Sequence, residues 1–123
     1  MNENIIEVSN LKKKFPGVQA LKGVNLNIPQ AMITGIVGPN GSGKSTLLKI
    51  ISGLVVKDEG QVTINRKNKQ RHLMQDIAFL PEINHLYRWM RISEMIKFHQ
   101  EQYSDFSTKK AEELLDFMNL KLE

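Results

Sequence analysis

The stretch Gly38-Pro39-Asn40-Gly41-Ser42-Gly43-Lys44-Ser45-Thr46 constrains this chain more than any other. It satisfies the pattern G-x-x-x-x-G-K-[ST], and its flanks are an apolar run and a helical pattern. The glycines let the backbone take positive φ values and approach a ligand closely. Successive N–H groups from about Gly41 to Thr46 can converge on an anion as a nest. A helix starting near Lys44 aims its unpaired N–H groups and positive dipole end at the same point. Lys44 supplies a mobile point charge for the outer phosphates, and the Ser45 hydroxyl is a hard oxygen for Mg²⁺. Thr46 is placed to donate to the innermost phosphate. The pattern implies a site for a nucleoside triphosphate, ATP by expectation. The alternative, a glycine-rich turn with no ligand, does not explain the lysine and the hydroxyl at these positions.

The neighbouring segments supply the context. Met32 to Val37 is apolar on both faces, which predicts a strand covered on both sides in a parallel sheet. Leu47, Leu48, Ile50, Ile51 and Leu54 recur at helical spacing, and Gly53 is expected to close that helix. Before the loop, Ile5 to about Pro29 reads as antiparallel strands, with strict alternation over Val24–Ile28 and a turn at Pro16-Gly17. Gln61–Ile64 predicts another alternating strand, and Ile77–Leu80 a short buried one stopped by Pro81. The last third is helical: Ile92, Met95, Ile96 and His99 form one stripe, and Ala111, Leu114, Leu115 and Met118 a second. Met95 and Met118 are expected in the core. Ser107 is the expected N-cap of the last helix.

Composition narrows the function classes. With 41% hydrophobic and 24% charged residues over 123 positions, a single ordinary globular domain is expected. The absence of cysteine excludes disulfides, thiolate metal sites and a thiol nucleophile. No secretory signal is visible at the start, and no run reaches the length of a membrane span. The net charge of +4 gathers at Lys12-Lys13-Lys14 and between Arg66 and Arg71. No aromatic residue interleaves either group, so these read as solvated hairpin positions and no nucleic acid is expected as a partner. His72, His85 and His99 have no partner at ligand spacing.

The string GPNGSGKSTLLKIISGL resembles the phosphate loop of ABC transporter ATP-binding subunits more narrowly than the general pattern does, and the likeness runs from residue 5 to about residue 120. It implies a P-loop NTPase of the ABC ATPase type with α/β architecture, truncated to its N-terminal half. Residues 1–89 would hold an antiparallel β subdomain and part of a parallel core sheet, and residues 90–123 the start of the helical subdomain. The family carries an aromatic residue that stacks on adenine, and Phe15 falls at that position. Stacking is the expectation for its ring, with ordinary packing between strand and turn as the alternative. Ile77–Glu82 resembles the segment ending in the Q-loop, where Glu82 replaces the usual glutamine. A carboxylate there is either a second Mg²⁺ contact beside Ser45 or a solvated loop residue. The Leu80-Pro81-Glu82 variant, shared with some exporters, tilts the resemblance toward export. Ala31-Met32 stands where the family has Gly-Glu, with no functional consequence expected. Arg91 replaces a capping threonine, leaving Glu94 as half of a capping box.

The resemblance further implies partners: a transmembrane permease subunit, and a second ATP-binding subunit whose signature loop closes over the γ-phosphate. It implies a peripheral position on the cytoplasmic face of the cell membrane. Leu86, Tyr87, Trp89 and Met90 are the candidate contact residues, with burial in the core as the alternative. The signature loop, the strand ending in Asp and catalytic Glu, and the switch His do not occur within these 123 residues. ATP binding with turnover near background is therefore expected, together with self-association through the uncovered 32–37 strand or membership of a longer protein. A soluble ABC-type ATPase or a nucleotide sensor without a membrane partner is the alternative class.

Overall fold

The structure is a computed structural model that describes residues 3–65, 67–68, 77–82 and 86–121. Two compact units make up the chain, Met1–Phe79 and Leu80–Glu123. The first contains strands β1 (Asn4–Phe15) and β2 (Val18–Pro29), helix α1 (Lys44–Ser52), strand β3 (Glu59–Ile64) and the short β4 (Lys67–Asn68). The second contains helices α2 (Ile92–Gln102) and α3 (Thr108–Phe117). Arg66, the 69–76 stretch with its remaining basic residues and His72, and His85 lie outside the described residues.

β1 and β2 form a long hairpin whose turn places Gly17 at φ 79 after Pro16, the dihedral pattern of a type II turn. The sheet is antiparallel throughout, in the order β2-β1-β3-β4. The hairpin extends further than the alternation predicted, because bulges repeatedly reset its side-chain parity. Between Val8 and Leu11 the register with β2 slips by one residue, and Asn10 there adopts φ 47. That extra residue turns both Val8 and Leu11 inward although they are three positions apart. Asn10 N–H donates to the Asn25 side chain at 2.9 Å, so the bulge leaves its amide satisfied. Gly60 crosses this bulge at φ 92, and a Cβ there would meet the Ser9 and Asn10 carbonyl oxygens.

The core of this unit forms where α1 lays Leu47, Ile50 and Ile51 against Val8, Leu11, Leu21, Val62 and Ile64. The spacing of the three helical residues places them on one stripe, as the periodicity requires. Gly53, at φ 89, ends the helix as expected. Its N–H donates to the Ile50 carbonyl at 3.1 Å and that of Leu54 to the Lys49 carbonyl at 2.9 Å, which together make a Schellman motif.

Two predicted strands are absent from the described residues. Residues 32–39 have no regular structure, and Ile33 and Val37 are fully exposed. Among the described residues no strand aligns with 32–37, so its backbone has no ladder to join, and the partial parallel core sheet is not formed. Only Ile36 packs against the core. Residues 77–80 likewise form no strand; Ile77 touches the core while Leu80 is exposed. Apolar content alone was the signal at both places, and a strand requires a partner as well.

In the second unit both helices start as the caps dictate. Ser107 Oγ accepts from Lys110 N–H at 3.3 Å, and Glu94 accepts from Arg91 N–H at 2.8 Å, which is the half of the capping box that the sequence retains. His99 sits on the α2 stripe with its Nδ1 2.9 Å from the Met95 carbonyl and its ring against Phe98, Tyr103 and Phe106. Met95 is half-buried, but Met118 is exposed, contrary to the expectation of a core position. Leu86, Tyr87 and Trp89 are exposed and Met90 is half-buried, with the Tyr87 and Trp89 rings 5.5 Å apart, so burial of the Tyr–Trp pair is not what this unit shows.

Two measurable consequences follow from the backbone and the charge pairs. Ala31 stands at φ 57, a left-handed conformation that costs a residue with a Cβ about 1 kcal/mol. The departure from the family's glycine thus has a structural effect. Ala31→Gly is expected to be neutral to stabilising by up to about 1 kcal/mol, whereas Ala31→Val is expected to cost at least about 1 kcal/mol, by urea denaturation. Asp58 accepts the Lys14 N–H at 2.7 Å and pairs with the Lys13 ammonium at 3.3 Å, and these hold its carboxyl below the ordinary value of 3.8, the backbone bond contributing most. Its stabilising contribution is complete above that ordinary value and disappears as pH falls through the lowered one. Asp58→Asn is therefore expected to reduce stability at pH 7 and to make the decline in acid shallower, measured by denaturation at pH 7 and pH 3.

Candidate nucleotide site

The loop between residue 38 and α1 takes the shape its glycines permit. Gly41 and Gly43 adopt φ 82 and φ 81, and Gly43 is the N-cap of α1 without any side-chain cap. Ser42 N–H donates to the Pro39 carbonyl at 3.2 Å, tightening the turn across Asn40 and Gly41. The first bond of the helical ladder runs from Leu47 N–H to the Gly43 carbonyl at 3.4 Å. The N–H groups of Lys44, Ser45 and Thr46 therefore precede the ladder at the positive end of the helix.

Lys44 turns back over the loop. Its ammonium donates to the carbonyl oxygens of Gly38 at 2.5 Å and Pro39 at 3.2 Å. The charge is thus poised at the mouth of the loop on two neutral acceptors, which an anionic oxygen can replace with a stronger charge-assisted bond. Ser45 is exposed beside it at the second position of the helix, and Thr46 is half-buried. Gly38 faces Ser42 so closely that a Cβ on it would stand 2.9 Å from the Ser42 oxygen.

What holds the loop in place is its contact with β2. A Cβ on Gly43 would collide with the Ala20 carbonyl oxygen and approach Leu21 Cδ2 to 3.1 Å. Ala20 is a bulge residue: the β1–β2 register passes from Lys13↔Leu21 to Lys14↔Gln19 and skips it. The bulge frees that carbonyl from the regular ladder at the point where the loop arrives. Two residues earlier, Val18 pairs with Phe15, so the backbone of that pair stands about 7 Å along the strand from the Gly43 contact. Phe15 is 40% exposed, and Lys13 Nζ lies 5.2 Å from its ring centroid.

The sequence-derived residues thus divide. Phe15 and Gly38 to Thr46 all belong to the first unit, and the β2 contact joins them on one sheet. Glu82 lies in the second unit and is exposed. Sequence reasoning missed Lys13 and Asp58, whose pairing spans 45 positions of chain. Among the described residues no group of three or more His, Cys, Asp or Glu side chains converges to hold a metal. A hydroxyl beside a phosphate cradle fits Mg²⁺ nonetheless, because that ion takes one or two protein oxygens and completes its shell with water and phosphate.

Gly41 and Gly43 share a backbone conformation but not a neighbourhood, which separates two effects. Gly41→Ala meets nothing within 4 Å and is expected to cost about 1 kcal/mol from φ alone. Gly43→Ala adds the collision with Ala20 and is expected to cost at least about 2 kcal/mol, by chemical denaturation.

Known proteins were compared with this chain on both sequence and structure. The ABC transporter family model matches residues 21–122. The sulfate/thiosulfate import ATP-binding protein CysA of Mesostigma viride is 39% identical over 123 residues, covering 94% of this chain and 35% of that protein. The galactose/methyl galactoside import ATP-binding protein MglA of Sodalis glossinidius is 41% identical over 83 residues, which is 63% of this chain and 16% of that protein. This chain therefore spans about a third or less of the length of these curated relatives. A solved ATP-binding subunit of an ABC transporter superposes with a TM-score of 0.75 at 25% identity, over 89% of this chain and 46% of that one. A nucleotide-free ATP-binding cassette superposes with a TM-score of 0.74 at 26% identity, over 96% and 55%. The motif, the antiparallel hairpin that buttresses it and the match over residues 21–122 agree: this chain belongs to the ABC transporter family and has the P-loop fold of its ATP-binding cassettes.

Proposed function

We propose that this chain is the nucleotide-binding portion of a subunit that couples ATP to transport across a membrane. The observation that carries the reading is the Gly41–Gly43 turn delivering the unladdered N–H groups of Lys44, Ser45 and Thr46, with the Lys44 ammonium above them. A triphosphate entering this turn exchanges the Gly38 and Pro39 carbonyls on Lys44 for phosphate oxygens. Backbone N–H groups from Gly41 to Thr46 neutralise the rest of its charge, and Pro39, Asn40 and Ser42 shape the rim. Phe15 offers its exposed ring to the adenine. Mg²⁺, when bound, screens the outer phosphates, and Ser45 is the residue that would hold it. Glu82, at the Q-loop position of the resemblance, is a further Mg²⁺-ligand candidate in this proposal.

The relatives named above act in import, and they favour import for the parent system. The export direction suggested by Leu80-Pro81-Glu82 has no support among them. A permease partner, a second ATP-binding subunit and a place at the inner face of the membrane accompany the proposal. Among the described residues no helix is long and apolar enough to cross a membrane, so attachment would run through the permease. These 123 residues offer a phosphate cradle and no motif for a general base, so we expect binding with phosphate release near background.

Calorimetric titration tests the site. Lys44→Ala is expected to weaken Mg-ATP binding by about ten-fold or more, the loss of a charge-assisted contact. Phe15→Ala is expected to weaken it by about two- to ten-fold. Binding unchanged by Lys44→Ala would sink the proposal, and phosphate release well above that of Lys44→Ala would sink the expectation of slow turnover.

A further inference from the structure

Three consecutive lysines precede Phe15, the last residue of β1, and each has its own contacts. Lys12 pairs with Glu59 at 3.1 Å, with both side chains substantially exposed. Lys14 contributes its backbone N–H to Asp58. Lys13 alone has its side chain largely covered, at 15% exposure, on a strand position opposite the buried Leu21. Its ammonium lies 3.3 Å from Asp58 Oδ1 and 5.2 Å from the centre of the Phe15 ring.

That placement has consequences for the ring. Phe15 sits at the last position of its strand, beside the turn, and is 40% exposed; whatever rotation its ring retains is lost when a base stacks on it. An ammonium over one face is attracted by the ring's quadrupole and holds the ring in register with it. Asp58 in turn is fixed to the main chain by the Lys14 N–H, and its own N–H donates to the Lys12 carbonyl at 3.0 Å, so the anchor is doubly tied to β1. The Lys14 N–H, with the Lys13 ammonium, also lowers the Asp58 carboxyl below its ordinary value.

We propose that Lys13, anchored by Asp58, is a positioning residue for the purine platform: it occupies one face of Phe15 and presents the other to the base. The inference rests on the reading of Phe15 as that platform. A lysine with a merely structural role would affect stability without regard to the ligand, and one acting by long-range charge would affect every polyanion alike. Positioning the ring affects only ligands that carry a base.

The test compares Mg-ATP with inorganic tripolyphosphate, titrated calorimetrically into the parent chain and its variants. Lys13→Met, which keeps the apolar stem, is expected to raise the Mg-ATP Kd about two- to five-fold, the worth of one partly exposed cation–π contact. Tripolyphosphate is expected to bind within about two-fold of the parent. Lys13→Arg, which retains charge and can stack, is expected to restore ATP binding. Asp58→Asn leaves the ammonium but loosens its anchor and is expected to show the same selective loss, so the test survives if Lys13→Met does not fold. Within Phe15→Ala, adding Lys13→Met is expected to cost nothing more in ATP affinity. Equal weakening of ATP and tripolyphosphate, or an ATP loss that persists without Phe15, would overturn the inference. If Phe15→Ala weakens ATP while Lys13→Met and Asp58→Asn do not, the inference alone falls; if Phe15→Ala has no effect, the platform itself falls with it.

Discussion

The approach of Gly43 to the Ala20 carbonyl is the constraint on which the rest of the first unit depends. It can occur only because Gly43 lacks a Cβ and because a bulge releases Ala20 from the β1–β2 ladder. Behind this contact, Leu47, Ile50 and Ile51 bury one stripe of α1 against the sheet, which fixes the axis of the helix. With the axis fixed and the N-cap pinned, the loop ahead of it has little freedom left. The cradle is thus held from two sides, by apolar burial below and by a backbone contact beside it. A loop of six or so residues rich in glycine would otherwise be among the least ordered parts of a chain.

Whatever is local in this fold could be read from the sequence. The G-x-x-x-x-G-K-S pattern, the Pro16-Gly17 turn, the Gly53 stop and the Ser107 cap each depend on a few neighbouring residues, and each stands where the sequence placed it. What depended on distant partners was not legible. Met32–Val37 has the composition of an interior strand, yet a strand exists only through its neighbours, and Ile33 and Val37 are exposed. Met118 was assigned to a core by its spacing on α3, and the spacing is correct, but periodicity names a face and not what covers it. The bulges that turn Val8 and Leu11 inward leave no mark in the alternation except its failure. Asn10 was the available clue, because asparagine tolerates the left-handed region that a bulge demands.

Ala31 illustrates how a departure from a family pattern acquires meaning only in three dimensions. Where the resemblance implies glycine, this chain holds an alanine at φ 57, just past the end of β2 and before the irregular segment that leads to the loop. The chain turns there regardless of the side chain, because Gln30 N–H is bonded to the Glu3 carbonyl at 2.8 Å and the hairpin has closed. Tertiary closure has overridden a local preference worth about 1 kcal/mol.

The charge arrangement around β1 joins fold and site in one network. Asp58 opens the approach to β3, and its bonds to Lys12, Lys13 and Lys14 pin that strand to the hairpin next to Phe15. Individually such partly exposed pairs contribute little to stability. Their effect is geometric: the carboxylate has one oxygen on a backbone N–H and the other on the Lys13 ammonium, which lies 5.2 Å from the centre of the Phe15 ring. A run of three lysines that reads as an undifferentiated basic patch is therefore divided between two carboxylates: Lys12 pairs with Glu59, and Lys13 and Lys14 share Asp58. In the proposed reading the hairpin tip and the nucleotide site share one segment, which a partner 45 residues away ties to β3.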